Sequence, residues 1–153
     1  MDNLLFCDLD GVLADFDEAF ARLAGSMPQT EIELKKWDMI AAADHLFRHM
    51  PMKRDAALLW RYIQPYNPII LTGLPTSTPH AEEDKRQWVA ERFGHTEVIC
   101  CKSRDKCLHI RAVGDILIDD RDEYRENWER AGGIWIQHSS AYDSICQLRD
   151  LGL

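Results

Sequence analysis

The stretch FCDLDGVLADF, residues 6–16, decides the fold because it joins an apolar run to closely spaced acids. The residues before Asp8 have the composition of a buried strand, yet Asp8, Asp10 and Gly11 follow at once. An unpaired buried carboxylate costs several kcal/mol, so these acids require a cation, hydrogen bonds or exposure at a cleft. The stretch therefore predicts a strand that ends at a functional site.

Length, charge and cysteine content limit the class of protein. The chain has 153 residues, 46% of them apolar, which fits one ordinary domain. A net charge of -8 repels polyphosphate backbones, so polymeric nucleic acid is not an expected partner. Five cysteines without a CxxC pair, and no basic-then-apolar leader, indicate reduced thiols in a cytoplasmic protein. No apolar run approaches the roughly 20 residues of a membrane span.

Five short apolar runs predict the sheet, at residues 4–7, 68–71, 97–101, 115–118 and 133–136. Their continuous apolar character predicts strands covered on both faces of a parallel sheet. Helical patterns lie between them: one with Thr78 as N-cap and Pro79 at its first position ends at Gly94, one ends before Gly132, and one starts near Ser140. This alternation predicts an α/β fold with a doubly wound, parallel five-stranded sheet.

One segment interrupts the alternation. From residue 17 to residue 64 the apolar spacing is helical without an intervening strand, and Asp15 and Asp17 are interpreted as the start of its first helix. The segment is far longer than the roughly 2–6 residues that usually connect a strand and a helix. We expect residues 17–64 to form a small helical cap on a core of residues 1–16 and 65–153.

Polar residues at the strand ends predict the chemistry, because ligands bind at the carboxyl ends of parallel strands. Two carboxylates about 4 Å apart repel by about 4 kcal/mol at an effective dielectric of about 20, so a gathered set implies a divalent cation. Oxygen ligands beside a phosphate indicate Mg²⁺, while a hydroxyl, an amide and a lysine suit the phosphate itself. In chain order, the strands end in Asp8 and Asp10, Thr72 and Gly73, Lys102 and Lys106, and Asp119 and Asp120.

The ordered set resembles the haloacid dehalogenase superfamily of phosphohydrolases: DLDGV, a strand ending in Thr, a lysine, then DD. Within it, DLDGVLADF, KRQWVAERFG and RDK followed by LIDDR resemble the 5'(3')-deoxyribonucleotidase group, whose small cap also matches the predicted insert. The resemblance implies a Mg²⁺-dependent phosphatase. Its substrate would be a small phosphorylated molecule, a nucleoside monophosphate first of all.

The resemblance also implies roles for the acids. Asp8 would be the nucleophile that forms an aspartyl-phosphate, and Asp10 the general acid for the leaving group and then the base for water. Asp8, the backbone carbonyl of Asp10 and Asp120 would hold Mg²⁺. Whether Asp119 binds the ion directly or through another ligand stays open.

The same resemblance assigns the substrate contacts. Thr72 and Lys106 would bind the transferred phosphoryl group, Gly73 would offer its backbone amide, Lys85 would be a further phosphate contact, and Phe16 would face the substrate. Two departures leave alternatives. The group usually has Ser where this chain has Gly73, and a longer interval before the paired acids leaves Lys102 as a rival to Lys106.

Other readings of the sequence stay open. Lys85 also fits a solvated ion pair with Glu82 on a helix surface, and Trp37 fits core packing better than substrate stacking. The six histidines have no ligand spacing and are assigned no metal. The alternative functions are a phosphatase for another small metabolite, a receiver-like signalling domain and a silent binding scaffold. The motif order disfavours the receiver, and Asp10 disfavours the scaffold.

Overall fold

The computed structural model describes residues 2–153 and confirms the predicted fold class. Five parallel strands form one sheet in the order β3-β2-β1-β4-β5. Each strand lies where an apolar run predicts it: β1 (Leu5–Cys7), β2 (Ile69–Gly73), β3 (Val98–Cys101), β4 (Ile116–Asp119) and β5 (Ile134–Gln137). The strand order reverses between β1 and β4, which is the place where such sheets bind ligands.

The strands are apolar throughout because both faces of the sheet are covered. Successive side chains point to opposite faces, so Phe6 and Leu117 pack on one side while Cys7 and Ile118 pack on the other. The side of Phe6 is covered by Trp128, whose ring lies edge-on to that of Phe6 at 5.5 Å. The helices are α1 (Phe16–Ala24), α2 (Gln29–Ala42), α3 (Ala56–Ile63), α4 (Ala81–Phe93), α5 (Arg125–Arg130) and α6 (Ala141–Asp150).

The helix ends agree with the sequence in three places and differ in one. Asp15 caps α1 by accepting from the Glu18 amide at 3.0 Å, the Ser140 hydroxyl caps α6, and α4 ends before Gly94. The prediction that Thr78 is the N-cap of α4 is wrong, because the helix begins at Ala81. The amide of Ala81 instead donates to the Thr78 carbonyl at 3.3 Å, so the chain makes a turn before the helix starts.

Three helices and no regular strand separate β1 from β2, as the helical pattern predicts. A short stem closes the part of this segment that contains α1 and α2: the Asp15 amide donates to the Pro51 carbonyl at 2.8 Å, and the Lys53 amide donates to the Leu13 carbonyl at 2.9 Å. Helix α3 packs with α6 beside the sheet, where Leu59 is fully buried. The division into a core and a cap of residues 17–64 stays a prediction, although α3 shares the main hydrophobic core.

Over residues 2–153, no helix is both long enough and apolar enough to cross a membrane. All five cysteines are free thiols.

Candidate active site

The turn after β1 places the first two acids. The amide of Asp8 donates to the Ile118 carbonyl at 2.9 Å, which extends the pairing of β1 with β4 by one residue. The chain then turns through Gly11, which has a φ of +86°. A Cβ at Gly11 would lie 2.1 Å from Asp120 Oδ2, so only glycine lets the turn approach this carboxylate so closely. The DLDG sequence therefore joins two strand ends into one site.

Lys106 lies at the centre of the acids. Its ammonium donates to Asp8 Oδ1 at 3.0 Å and to Asp119 Oδ2 at 2.9 Å, and all three side chains are buried. Burial opposes the charged form of the lysine, but the carboxylates of Asp8 and Asp119 outweigh it and hold the pKa of Lys106 above its ordinary range. Lys106 therefore stays cationic and neutralises part of the charge around Asp8.

One lysine does not satisfy three carboxylates. Burial and then the charge of Asp119 raise the pKa of Asp8 to about 7, against the opposing effect of Lys106. Burial and the neighbouring Asp8 likewise raise the pKa of Asp120 to about 7. The site is therefore short of positive charge when its carboxylates are ionised.

The donor set fits a divalent cation. Asp8, Asp119 and Asp120 each offer a carboxylate oxygen, and these oxygens lie within 4.8 Å of one another. Asp120 Oδ1 is buried without a hydrogen-bond partner among the described residues, whereas Asp119 already accepts from Lys106 and from the Arg121 amide. Hard oxygen ligands suit Mg²⁺. Among residues 2–153, the histidines join no such cluster.

Lys85 binds the other end of the turn. Its ammonium donates to Asp10 Oδ2 at 2.8 Å, to the Gly73 carbonyl at 2.6 Å and to Thr72 Oγ1 at 3.2 Å. The side chain is only 1% exposed, so Lys85 is not a solvated helix-surface residue. The ion pair with Glu82 considered from the sequence belongs to Arg86 instead, at 3.1 Å.

The structure places the two predicted residues at the end of β2 differently. Thr72 is fully buried, its hydroxyl accepts from the Lys85 ammonium, and it does not line the cleft. Gly73 lines the cleft at the strand ends. In this structure the partner of the Thr72 hydroxyl is Lys85. Its direct contact with a phosphoryl group stays a prediction.

The cleft above these residues has a volume of about 600 Å³. Phe16, Trp37 and Phe47 form its apolar side, and the Phe16 ring stacks on that of Phe47 at 5.8 Å. Trp37 is 48% exposed, so it is not the core residue that the sequence favours. Lys102 lies exposed in the same cleft, whereas Lys106 is the lysine that contacts Asp8.

Sequence reasoning missed several residues that line the cleft. Phe47 lies near the Lys85 ammonium, 4.7 Å from ring centroid to Nζ, but nothing in its sequence context distinguishes it from a core residue. Ser103, Arg104 and Arg121 also line the cleft. The sequence contains a signal for Ser103, Arg104 and Arg121. Ser103 follows the predicted site residue Lys102, Arg104 belongs to the RDK motif, and Arg121 belongs to the LIDDR motif.

Comparisons with known proteins agree with the fold. No protein-family model matches the sequence, and no curated protein matches it. Among solved structures, L-2-haloacid dehalogenase from Xanthobacter autotrophicus superposes with a TM-score of 0.61 at 11% identity, over 100% of this chain and 84% of that one. A Had-superfamily hydrolase from Ehrlichia chaffeensis gives 0.57 at 14% identity, over 97% of this chain and 99% of that one.

A chain of the Pnkp1/Rnl/Hen1 complex gives a TM-score of 0.54 at 15% identity, over 89% of this chain and 45% of that one. Sequence identities this low show the fold alone. The protein has the α/β fold of the haloacid dehalogenase superfamily hydrolases.

Proposed function

We propose that the protein is a hydrolase of the haloacid dehalogenase superfamily, and specifically a Mg²⁺-dependent phosphomonoesterase. One observation carries the proposal: Asp8 contacts Lys106 at 3.0 Å within a group of three carboxylates whose oxygens lie within 4.8 Å. A carboxylate nucleophile beside a fixed cation and further metal-ligand oxygens suits attack on an anionic phosphate. Bound at Asp8, Asp120 and the Asp10 carbonyl, Mg²⁺ would neutralise the charge of the phosphate dianion.

The reaction is a double displacement at phosphorus. A carboxylate oxygen of Asp8 attacks phosphorus, the bond to the ester oxygen breaks, and Asp10 gives a proton to the departing oxygen from Oδ1, the oxygen that Lys85 does not bind. Asp10 then takes a proton from water, whose oxygen attacks phosphorus and breaks the bond to Asp8. Phosphate leaves, and both aspartates return to their starting states.

The second aspartate favours phosphate ester hydrolysis over dehalogenation. Halide leaves carbon as a stable anion and needs no proton, whereas an alkoxide leaving group does. Asp10 lies two residues after Asp8, with Oδ1 buried and unpartnered within the described chain. Dehalogenase activity is therefore an outcome to be tested.

The cleft supports a substrate of nucleotide size, and we assign the protein to the 5'(3')-deoxyribonucleotidase group on this basis and on its motifs. A volume of about 600 Å³ is within the range of small-molecule sites. Trp37, which is 48% exposed, offers aromatic surface to the cleft, and Phe16 lines the same cleft although only 8% of it is exposed. Stacking on a base contributes about 1–3 kcal/mol in nucleic-acid-binding proteins. Another small phosphorylated metabolite is the alternative substrate.

A phosphatase panel tests the proposal. Purified protein is assayed against an aryl phosphate, nucleoside and deoxynucleoside monophosphates, sugar phosphates, phosphoserine and a 2-haloacid, with and without Mg²⁺. We expect Mg²⁺-dependent release of phosphate, with deoxynucleotides giving the highest kcat/KM. Release of halide without release of phosphate would overturn the proposal. A tenfold preference for a sugar phosphate would remove only the nucleotidase assignment.

The base-stacking role has its own variants. Phe16→Ala and Trp37→Ala should raise KM for deoxynucleotides more than KM for the aryl phosphate, which has no base. Phe20→Ala is the control, because Phe20 stacks on Phe16 at 6.2 Å but does not line the cleft. Equal effects on both substrates would indicate that the rings serve packing alone.

A further inference from the structure

The backbone conformation of Gly73 does not explain why this residue is a glycine. Its φ lies outside the left-handed region, so a residue with a side chain is allowed there by conformation. A Cβ built on Gly73 would nevertheless lie 2.1 Å from Ser103 Oγ. Ser103 therefore occupies the space that a side chain at position 73 would take.

Ser103 belongs to the segment that carries Lys106. It begins the 3₁₀ helix Ser103–His109, in which side chains three residues apart lie on the same face. Ser103 and Lys106 are such a pair, and Lys106 Nζ contacts Asp8. The Ser103 hydroxyl is thus held on the side of the helix that faces the nucleophile, and the residue lines the same cleft.

The Ser103 hydroxyl lies near two buried lysines of the candidate site. Gly73 lies beside it, and the Gly73 carbonyl accepts from Lys85 at 2.6 Å. Lys85 and Lys106 place two ammonium groups on either side of the Asp8 turn. The Thr72 hydroxyl accepts from Lys85 and does not line the cleft. Of the hydroxyls that do, those of Thr76, Ser77 and Ser103, the Ser103 hydroxyl is the one that lies against Gly73.

We infer that Ser103 is a substrate-binding residue: its hydroxyl, placed where a side chain of residue 73 would lie, donates a hydrogen bond to the phosphoryl group. The inference rests on the proposed phosphatase function. It extends the phosphate site from the end of β2 to the connection between β3 and β4, where Ser103 lies. The hydroxyl binds an oxygen of the phosphate and takes no part in bond breaking. Gly73 is required because it leaves room for Ser103.

Direct binding of inorganic phosphate tests the inference without turnover. Titration calorimetry with Mg²⁺ present compares the wild type, Ser103→Ala and the control Ser139→Ala, whose hydroxyl lies outside the cleft. A hydrogen bond to a charged group predicts about tenfold weaker phosphate binding for Ser103→Ala and no change for Ser139→Ala. Equal affinity of Ser103→Ala and wild type overturns the inference, as does a wild type that does not bind phosphate.

A double-mutant cycle with Gly73 sharpens the test. Gly73→Ala displaces the Ser103 hydroxyl, so it should weaken phosphate binding as much as Ser103→Ala, and the double variant should be no worse than either. The exchange Gly73→Ser with Ser103→Ala returns a hydroxyl to the site and should restore affinity to within about threefold of wild type. Additive losses in the cycle would overturn the inference.

The aryl phosphate assay separates this inference from the proposed function. If the wild type binds phosphate through Ser103 but releases none from the ester, the phosphatase function fails and the hydroxyl assignment stands. If the wild type hydrolyses the ester and Ser103→Ala keeps its kcat/KM, the inference fails and the function stands. Thermal unfolding of each variant verifies that it is folded.

Discussion

The two ends of β4 are flanked by carboxylates in opposite situations, one fully buried and one partly exposed. At the amino end, fully buried Asp115 accepts from the amides of Leu4, Arg111 and Ala112 at 2.8–2.9 Å. Burial alone would raise its pKa, but these amides outweigh burial and hold the pKa of Asp115 below its ordinary value. At the carboxyl end, burial and Asp8 raise the pKa of Asp120 to about 7.

The difference separates a structural acid from one that we propose to be functional. Asp115 has as many donors as its oxygens need, and it fastens the start of β1 to the turn before β4. Asp120 keeps a buried oxygen without a partner among residues 2–153. The hydrogen bonds of Asp115 therefore stabilise the fold at one end of β4, whereas the unpaired oxygen of Asp120 is available to bind a ligand at the other end.

The largest expected effect is the loss of the nucleophile. Asp8→Asn is nearly isosteric, but its amide is a poor nucleophile, so kcat should fall by at least about a thousandfold while the protein stays folded. Steady-state assays with an aryl phosphate measure the loss, and mass spectrometry of the acid-quenched wild type should find phosphate on Asp8. Phosphate on a different residue would contradict the assignment.

The two lysines come next. Lys106→Ala should lower kcat/KM about a hundredfold, because removing a cation at the developing phosphoryl charge costs about 3 kcal/mol. Lys102→Ala is the matched control and should lose much less, since Lys102 is exposed and Lys106 is the one in contact with Asp8. A larger loss for Lys102→Ala would show that the lysines have been assigned the wrong way round.

Asp115→Asn tests the structural end of the strand. The amide group of Asn must face a backbone N–H at this site, so the free energy of unfolding should fall by about 2–3 kcal/mol. Urea unfolding measures the loss, with exposed Asp150→Asn as the control. The kcat of the folded protein should not change. A variant as stable as the wild type would remove the contrast between the two ends of β4.

The smallest effect is the pH dependence of stability. With pKa values of about 7, native Asp8 and Asp120 bind more protons than the unfolded chain above pH ~4, so Mg²⁺-free stability from this pair should fall as pH rises toward ~7. Asp115 contributes in the opposite direction, and its stabilisation is lost as pH falls.

Mg²⁺ must displace these protons, so it should raise Tm more at about pH 8 than at about pH 5. Thermal unfolding with and without Mg²⁺ measures the difference. Asp120→Asn should reduce this pH dependence of the Mg²⁺-induced rise in Tm, and Asp115→Asn should leave it unchanged. An equal rise in Tm at both pH values would argue against a cation among these carboxylates.

The sequence predicts the sheet well because parallel strands that are buried on both faces have continuous apolar sequences. All five strands lie at the predicted runs, and the caps Asp15 and Ser140 are local signals that need no tertiary information. A Thr-Pro pair fits both a helix N-cap and the turn that precedes α4, so the local sequence does not distinguish these two roles for Thr78. The packing of α3 beside α6 depends on contacts that amphipathic spacing alone does not assign to a partner.

The site was predictable in its acids and not in its detailed contacts. Acids at the carboxyl ends of parallel strands lie at one edge of the sheet, so the gathering of Asp8, Asp119 and Asp120 follows from their positions. The approach of Ser103 to Gly73 depends on the register of β2 with β3, which pairs Gly73 with Cys101 and brings the next loop alongside. Register and side-chain rotamer are three-dimensional quantities that spacing does not encode.

The stem between residues 13–15 and 51–53 has a consequence for how such a protein can diverge. Its backbone hydrogen bonds bring the two ends of the α1–α2 segment together. The distance between these ends therefore does not depend on the length of the segment that connects them. Closing a longer loop adds only about 0.6 kcal/mol for each doubling of its length. Ile40, Leu46, Phe47 and Met50 belong to the main hydrophobic core and would have to be kept. A chimera that exchanges only residues 17–39 should therefore fold around an unchanged sheet and replace Trp37 in the wall of the cleft, while α3 stays in place.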